Sequence, residues 1–104
     1  MQIALLHKHY SQEHLEQVKR EMAELGAPTI RAIWSEMHGI WMAVEGCHRL
    51  RAAAELDIIP EIDDISDDEM VTIQVDEGDE SVAVIDLLDE LQDEASRSIT
   101  LSFD

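Results

Sequence analysis

The spacing of apolar and polar positions predicts a helix that begins at Ser11 and ends at Gly26. Apolar side chains recur three, four and three positions apart within it, at Leu15, Val18, Met22 and Leu25. This spacing places them on one face of a helix. Ser11 is a typical N-cap residue, and Gly26 is expected to end the helix as a left-handed cap, with Pro28 preventing its continuation.

The remaining pattern alternates strands with two further helices. Runs rich in β-branched residues predict strands over residues 2–7, 29–35, 40–45, 58–62, 71–75 and 99–103. Helices are expected over residues 47–56 and 81–95, the second burying Val84, Leu88, Leu91 and Ala95. The intervening turns and links are expected at residues 36–39, 63–69 and 76–80. Pro60 lacks a backbone donor, which favours an edge position for strand 58–62.

This order predicts a single small α+β domain. It combines a mixed sheet and packed helices with an acidic C-terminal strand–helix–strand extension. The expected division is a core over residues 1–66 and an acidic elaboration over residues 67–104, at a length typical of one domain.

A glycine at a strand-to-helix junction is the strongest candidate for a binding site. Gly46 follows the predicted strand 40–45 and precedes helix 47–56. Such a junction can direct free backbone N–H groups and the positive end of a helix at an anion. Arg49 and Arg51 in the first turn oppose the helix dipole, which indicates that they face a negative group.

The segments around this junction resemble the ParB/sulfiredoxin superfamily over about residues 3–66. Gly46, Arg49 and Ala52 match the ParB-like G-x-x-R-x-x-A pattern, and Gly46-Cys47-His48-Arg49 reproduces the G-C-H-R of sulfiredoxins. The resemblance implies that Gly46, His48 and Arg49 bind the phosphates of ATP or CTP, with Mg²⁺, and that Cys47 is a nucleophile. Glu45, however, stands where sulfiredoxins have a second glycine.

Charge is distributed unevenly along the chain. The net charge is −17, of which residues 1–56 contribute −1 and residues 57–104 contribute −16. This distribution argues against direct DNA binding, because phosphate contacts need a basic surface. Like-charge carboxylates stand four positions apart on the outer side of helix 81–95, at Asp86, Asp89, Glu90, Asp93 and Glu94.

Two functional hypotheses follow, from different classes. In the first, a non-enzymatic protein uses this acidic face to bind the basic groove of a nucleic-acid-binding protein, as DNA mimics and inhibitors encoded by phages do. In the second, the Gly46–Arg49 loop binds a nucleotide and supports hydrolase or phosphotransfer chemistry. The charge asymmetry favours the first hypothesis.

Other residues carry weaker signals. One cysteine permits no intramolecular disulfide, and no segment reaches the length of a signal peptide or a membrane span, so a cytoplasmic location is expected. His7, His9 and His14 could approach a metal but lack supporting ligands at a suitable spacing, so no metal site is predicted. Trp34 and Trp41 are expected to pack in the core rather than to stack on a base.

Overall fold

The computed structural model describes residues 1–5, 10–75, 78–94 and 99–103. The described segments form three helices and seven strands: β1 (Gln2–Ala4), α1 (Gln12–Leu25), β2 (Thr29–Ser35), β3 (Ile40–Ala43), α2 (Cys47–Glu55), β4 (Glu61–Asp64), β5 (Met70–Val75), β6 (Gly78–Ala83), α3 (Val84–Glu94) and β7 (Thr100–Ser102). No helix within these ranges is both long and apolar enough to cross a bilayer.

Five strands form a mixed sheet in the order β4-β2-β3-β1-β7. β2 and β3 are antiparallel neighbours, with Trp34 opposite Trp41 in the register. β4 pairs in parallel with β2, β1 pairs in parallel with β3, and β7 runs antiparallel to β1. β5 and β6 form a separate two-stranded hairpin. The prediction of a small α+β domain with a mixed sheet is confirmed.

Each face of the sheet carries its own buried cluster. Ile3, Ile30 and Ala43 point toward α1 and α2, where they join Leu15, Met22 and Leu50. Their alternate neighbours pack on the other side with α3 and the β5–β6 hairpin; the buried members of this second cluster include Ala4, Ile33, Met42, Val84 and Leu91. This alternation follows from the two-residue side-chain period of a strand.

Helix α1 begins and ends where the sequence predicts. Ser11 Oγ accepts a hydrogen bond from His14 N at 3.3 Å, and Gly26 N donates to Met22 O at 2.8 Å. Gly26 has φ 85° and ψ −157°. Its φ is positive as expected, but its ψ is extended, so the prediction of a left-handed helical conformation is wrong in that detail.

Two predicted boundaries are wrong in the acidic half. Gly78–Ala83, expected to form a turn and the start of a helix, is strand β6, and Val82 pairs with Val71. β4 covers Glu61–Asp64 rather than residues 58–62, because Pro60 cannot enter the ladder and the strand begins after it. Asp63 and Asp64 are therefore strand residues and not part of a link, although the predicted edge position of this strand is confirmed.

Smaller differences concern strand and helix ends. β3 ends at Ala43, two residues before the predicted end. In α3, Val84 and Leu91 are buried as expected, Leu87 is buried in addition, and Leu88 is half-buried. The predicted strand residues 6 and 7 and the inward position of Ala95 lie outside the described residues.

Met1 and Phe103 are joined by two hydrogen bonds beside the paired strands β1 and β7. Phe103 N donates to Met1 O at 2.7 Å, and the terminal ammonium of Met1 donates to Phe103 O at 2.7 Å. Phe103 joins the cluster beneath α1 and α2. The division into a core over residues 1–66 and an elaboration over residues 67–104 stays a prediction.

Candidate functional site

The β3–α2 junction opens onto a cleft of about 620 Å³ between the loop and helix α1. The loop contributes Glu45 and the segment Gly46-Cys47-His48-Arg49. The opposite wall consists of α1 and the residues after it: His14, Val18, Glu21, Met22, Leu25, Gly26, Ala27 and Pro28. All four residues of the predicted phosphate-binding segment therefore lie together in one concave site.

Gly46 sets the sharp entry into α2. It has φ 78° and ψ 31°, a left-handed conformation that glycine adopts without steric cost. A Cβ at this position would lie 2.7 Å from Ile30 Cδ1 and 3.2 Å from Arg49 Nη2. Gly46 is also the N-cap of α2, and no side chain caps the helix. The loop is thus a tight turn that leaves the helix start uncapped by any side chain.

Glu45 is held between two arginines. Arg31 Nε donates to Glu45 Oε1 at 3.0 Å and Arg31 Nη2 donates to Glu45 Oε2 at 2.8 Å. Arg49 Nη2 lies 3.7 Å from Glu45 Oε1. The hydrogen bonds from Arg31 lower the pKa of Glu45 against the opposing effect of burial, and the charges of Arg31 and Arg49 lower it further. Glu45 is therefore an anion within the cleft.

This carboxylate changes what the cleft can bind. Arg49 faces Glu45, and its Nη1 also donates to Thr29 O at 3.1 Å. Glu21 adds a second carboxylate to the same lining. The positive charge of Arg49, which was expected to bind a phosphate, is thus partly balanced by the carboxylates of Glu45 and Glu21.

His48 is bound to the start of α1. Its Nε2 accepts a hydrogen bond from Ser11 N at 3.0 Å, and its ring meets the His14 ring edge-to-face with centroids 4.4 Å apart. Burial lowers the pKa of His48, and the nearby charges of His14 and Arg51 lower it further. A histidine that accepts at Nε2 carries its proton on Nδ1 and is neutral.

Arg51 and Cys47 also have partners within the fold. The Arg51 guanidinium lies over the Tyr10 ring, 4.2 Å from its centroid, a cation–π contact that joins α2 to the residue before the α1 cap. Cys47 is a free, half-buried cysteine at the first position of α2, and it packs against the cluster beneath the helices. The proposed role of Cys47 as a nucleophile stays a prediction.

The acidic face of α3 is exposed to solvent where it is described. Asp86, Asp89, Glu90 and Asp93 are all solvent-exposed; the side chain of Glu94 lies outside the described residues. The ion pairs in the described part of the chain join Lys19 to Glu16 and Glu55, and Glu45 to Arg31 and Arg49. Within residues 57–75 and 78–93, none of the described carboxylates forms an ion pair with a described lysine or arginine.

Several contacts of the site were not predicted from the sequence. Ser11 and Arg31 are distant in sequence from the residues that they contact, so local periodicity gives no sign of these partners. The prediction that Trp34 packs in the core is wrong, because its side chain is 38% exposed and meets the Trp41 ring edge-to-face with centroids 5.2 Å apart. Trp41 packs against the core as predicted. His7 and His9 lie outside the described residues. Within the described residues, no cluster of three or more His, Cys, Asp or Glu side chains could hold a metal ion.

Comparison with known proteins gives no relative for this chain: no family model, curated protein or solved structure matches it. The resemblance to the ParB/sulfiredoxin superfamily therefore stays a prediction from the residues that carry it.

Proposed function

We propose that this protein is a non-enzymatic interaction protein whose acidic half occupies the basic groove of a nucleic-acid-binding partner. The observation that supports this most directly is the outer face of α3. It presents four exposed carboxylates that pair with no described cation, at Asp86, Asp89, Glu90 and Asp93. An ordinary solvated helix face mixes the two signs of charge, whereas this one carries only negative charge.

The spacing of these carboxylates supports nucleic-acid mimicry. Asp86 and Glu90 are one helical turn apart, as are Asp89 and Asp93, and a helix rises about 6 Å over four residues. They therefore form two short rows of negative charge on a rigid element. α3 is anchored beneath these rows by Val84, Leu87 and Leu91, which are buried against the sheet. A basic groove that binds phosphates would meet regularly spaced anions here.

Further acids in the second half of the chain are exposed outside α3. Glu61, Asp63 and Asp64 are exposed on the edge strand β4, and Asp67, Asp68 and Glu69 are exposed in the segment that follows. Asp79 and Glu80 are exposed on β6. This extent of negative charge favours fast, salt-sensitive association with a basic protein.

A pull-down with an α3 variant tests the proposal. The tagged protein is incubated with lysate at low salt, and bound proteins are displaced with duplex DNA. The quadruple variant Asp86→Asn, Asp89→Asn, Glu90→Gln, Asp93→Asn should lose a nucleic-acid-binding partner that DNA displaces from the wild type. Recovery of the same partner by this variant, or binding that persists at high salt, would contradict the proposal.

A control variant with the same change in net charge tests whether binding depends on the position of the carboxylates or only on the net charge of the protein. Glu13→Gln, Glu21→Gln, Glu24→Gln and Glu36→Gln remove four exposed carboxylates of residues 1–56, outside the acidic half of the chain. This variant should retain most of the partner binding. Equal loss in the two variants would show that net charge alone, and not the α3 face, accounts for capture.

A second function is supported by the cleft. We propose, as the alternative, that the cleft belongs to a ParB/sulfiredoxin-like nucleotide site for ATP or CTP with Mg²⁺, because Gly46, Cys47, His48 and Arg49 all line it. Calorimetric titration with each nucleotide and Mg²⁺ tests this. Binding should disappear in Arg49→Ala and persist in Arg20→Ala, which removes an exposed arginine elsewhere. The absence of heat at millimolar nucleotide would refute it.

A ParB/sulfiredoxin-like fold and a cytoplasmic location belong to these proposals as well. The fold proposal is supported by the order of β2, β3, the Gly46 turn and α2, which places the G-C-H-R segment at the start of a helix. The single cysteine favours a reducing compartment.

A further inference from the structure

One neutral histidine joins the first turns of α1 and α2, beside the buried cluster that packs the two helices together. Ser11 N donates to His48 Nε2 at 3.0 Å, across 37 residues of sequence. Ser11 is also the N-cap of α1, and its Oγ accepts from His14 N. The His14 ring then lies edge-to-face on His48. The first turn of α1 and the first turn of α2 are therefore joined through the His48 imidazole.

We propose that His48 is an acid-sensitive switch: its protonation releases the start of α1 from α2 and opens the cleft between them. A protonated imidazole carries a hydrogen on both nitrogens and accepts no hydrogen bond. Ser11 N–H, which now donates to Nε2, would then face a donor and lose its partner. An N–H group without an acceptor destabilises the arrangement unless it moves toward water.

The surroundings of His48 oppose its positive charge. On α1 it faces His14, and on its own helix it faces Arg51, whose charge also lowers its pKa. His48 lies at the second position of α2, where the helix dipole disfavours a cation. The carboxylates in the cleft are Glu45, which is hydrogen-bonded to Arg31, and Glu21 on α1. The nearest described charges therefore disfavour a protonated His48 that stays in contact with Ser11, and they favour release of the start of α1.

Release would change the cleft because both of its walls depend on this junction. His14, Val18 and Met22 of α1 form one wall, and residues 46–49 form the other. None of the described contacts of this junction involves α3, so the proposed switch does not rest on the proposed role of the acidic face.

Hydrogen–deuterium exchange at several pH values tests the switch. Exchange rates are corrected for the intrinsic effect of pH and compared with those of the central strands β2 and β3. Between pH 7.5 and 5, we expect exchange in the first turn of α1 and the first turn of α2 to rise several-fold more than exchange in these strands. Equal changes in the helices and the strands would overturn the proposal.

Two histidine variants identify the group responsible. His48→Gln keeps an acceptor near the position of Nε2 but does not titrate, so it should abolish the pH-dependent rise. His38→Gln removes an exposed histidine in the β2–β3 turn and should leave the rise unchanged. A rise that persists in His48→Gln would overturn the proposal.

An NMR titration of the wild type provides a test that needs no variant. The His48 ring resonances should titrate at a lower pH than an ordinary histidine side chain, because burial and the charges of His14 and Arg51 lower the pKa of His48. Changes in the Ser11 amide resonance should follow the same midpoint as the His48 ring. Titration of His48 at or above the ordinary histidine value, or an unchanged Ser11 amide, would overturn the proposal.

Discussion

Gly46 is the residue whose replacement should most directly disturb the site. Its positive φ strains any residue with a Cβ, and that Cβ would lie 2.7 Å from Cδ1 of the fully buried Ile30. Backbone strain costs about 1–2 kcal/mol and overpacking about 1–3 kcal/mol, so Gly46→Ala should lower the free energy of unfolding by about 2–5 kcal/mol. Urea denaturation measures this loss.

Gly39→Ala is the matched control for Gly46→Ala. Gly39 has φ 65°, but no atom lies within 4 Å of the position of its missing Cβ. It should therefore lose only the strain contribution, about 1–2 kcal/mol. Equal losses at the two positions would show that the contact with Ile30 has no energetic effect.

The Arg31–Glu45 pair should make stability depend on pH. The side chains of Arg31 and Glu45 are 30% and 38% exposed, so solvent screens them. Glu45→Gln should therefore cost about 1 kcal/mol at neutral pH, less than the loss of a buried pair. The pKa of Glu45 is lowered by folding, so the contribution is present above its ordinary value of 4.5 and is lost as the pH falls through the lowered value.

Denaturation of wild type and Glu45→Gln at several pH values measures this dependence. The difference between the two proteins should shrink as the pH falls below 4.5. Glu36→Gln, which changes an exposed acid in the β2–β3 turn, should show little difference at any pH. A constant difference for Glu45→Gln would mean that the carboxylate charge does not contribute to stability.

At the scale of elements, the strongly periodic segments could be predicted and the acidic strands could not. α1 follows from Leu15, Val18 and Met22 with a capping serine, and the structure forms it between the expected residues. β6 was missed because Asp79, Glu80 and Ser81 have low strand propensity and resemble a turn before a helix. Its pairing with β5 overrides that local preference, with Val82 opposite Val71.

Helix α3 carries repulsion that a single substitution should relieve. Asp86 and Glu90 are like charges four positions apart, which costs about 0.2–0.5 kcal/mol in an isolated helix. Glu90→Lys replaces this repulsion with an attraction in the favourable order, so it should raise stability by about 0.5–1 kcal/mol. Thermal denaturation should show a larger gain at low salt than at high salt. Glu90→Gln is the control and should give about half of the gain.

The candidate site shows the same limit of prediction. The strand–glycine–helix pattern identified the Gly46–Arg49 loop, because its signal lies within a few adjacent residues. The opposite wall of the cleft and the Ser11 contact of His48 depend on the packing of α1 on α2, which joins segments 37 residues apart. The sheet order has the same origin, since β1 pairs with both β3 and β7. Such pairings are decided by tertiary contacts, not by local spacing.

At the scale of the whole molecule, uneven charge should make the folded state sensitive to salt. The net charge is −17, and the described acids after residue 57 pair with no described cation. Unfolding moves these charges apart, so their mutual repulsion destabilises the compact state. Because salt screens repulsion between exposed charges, sodium chloride should raise the melting temperature at neutral pH. The quadruple α3 variant should melt at a higher temperature in low salt and show a weaker salt dependence. A melting temperature that is unchanged or lowered by salt would show that repulsion in the acidic half does not limit stability. In that case the carboxylates of the acidic half would lie far enough apart for solvent to screen their repulsion.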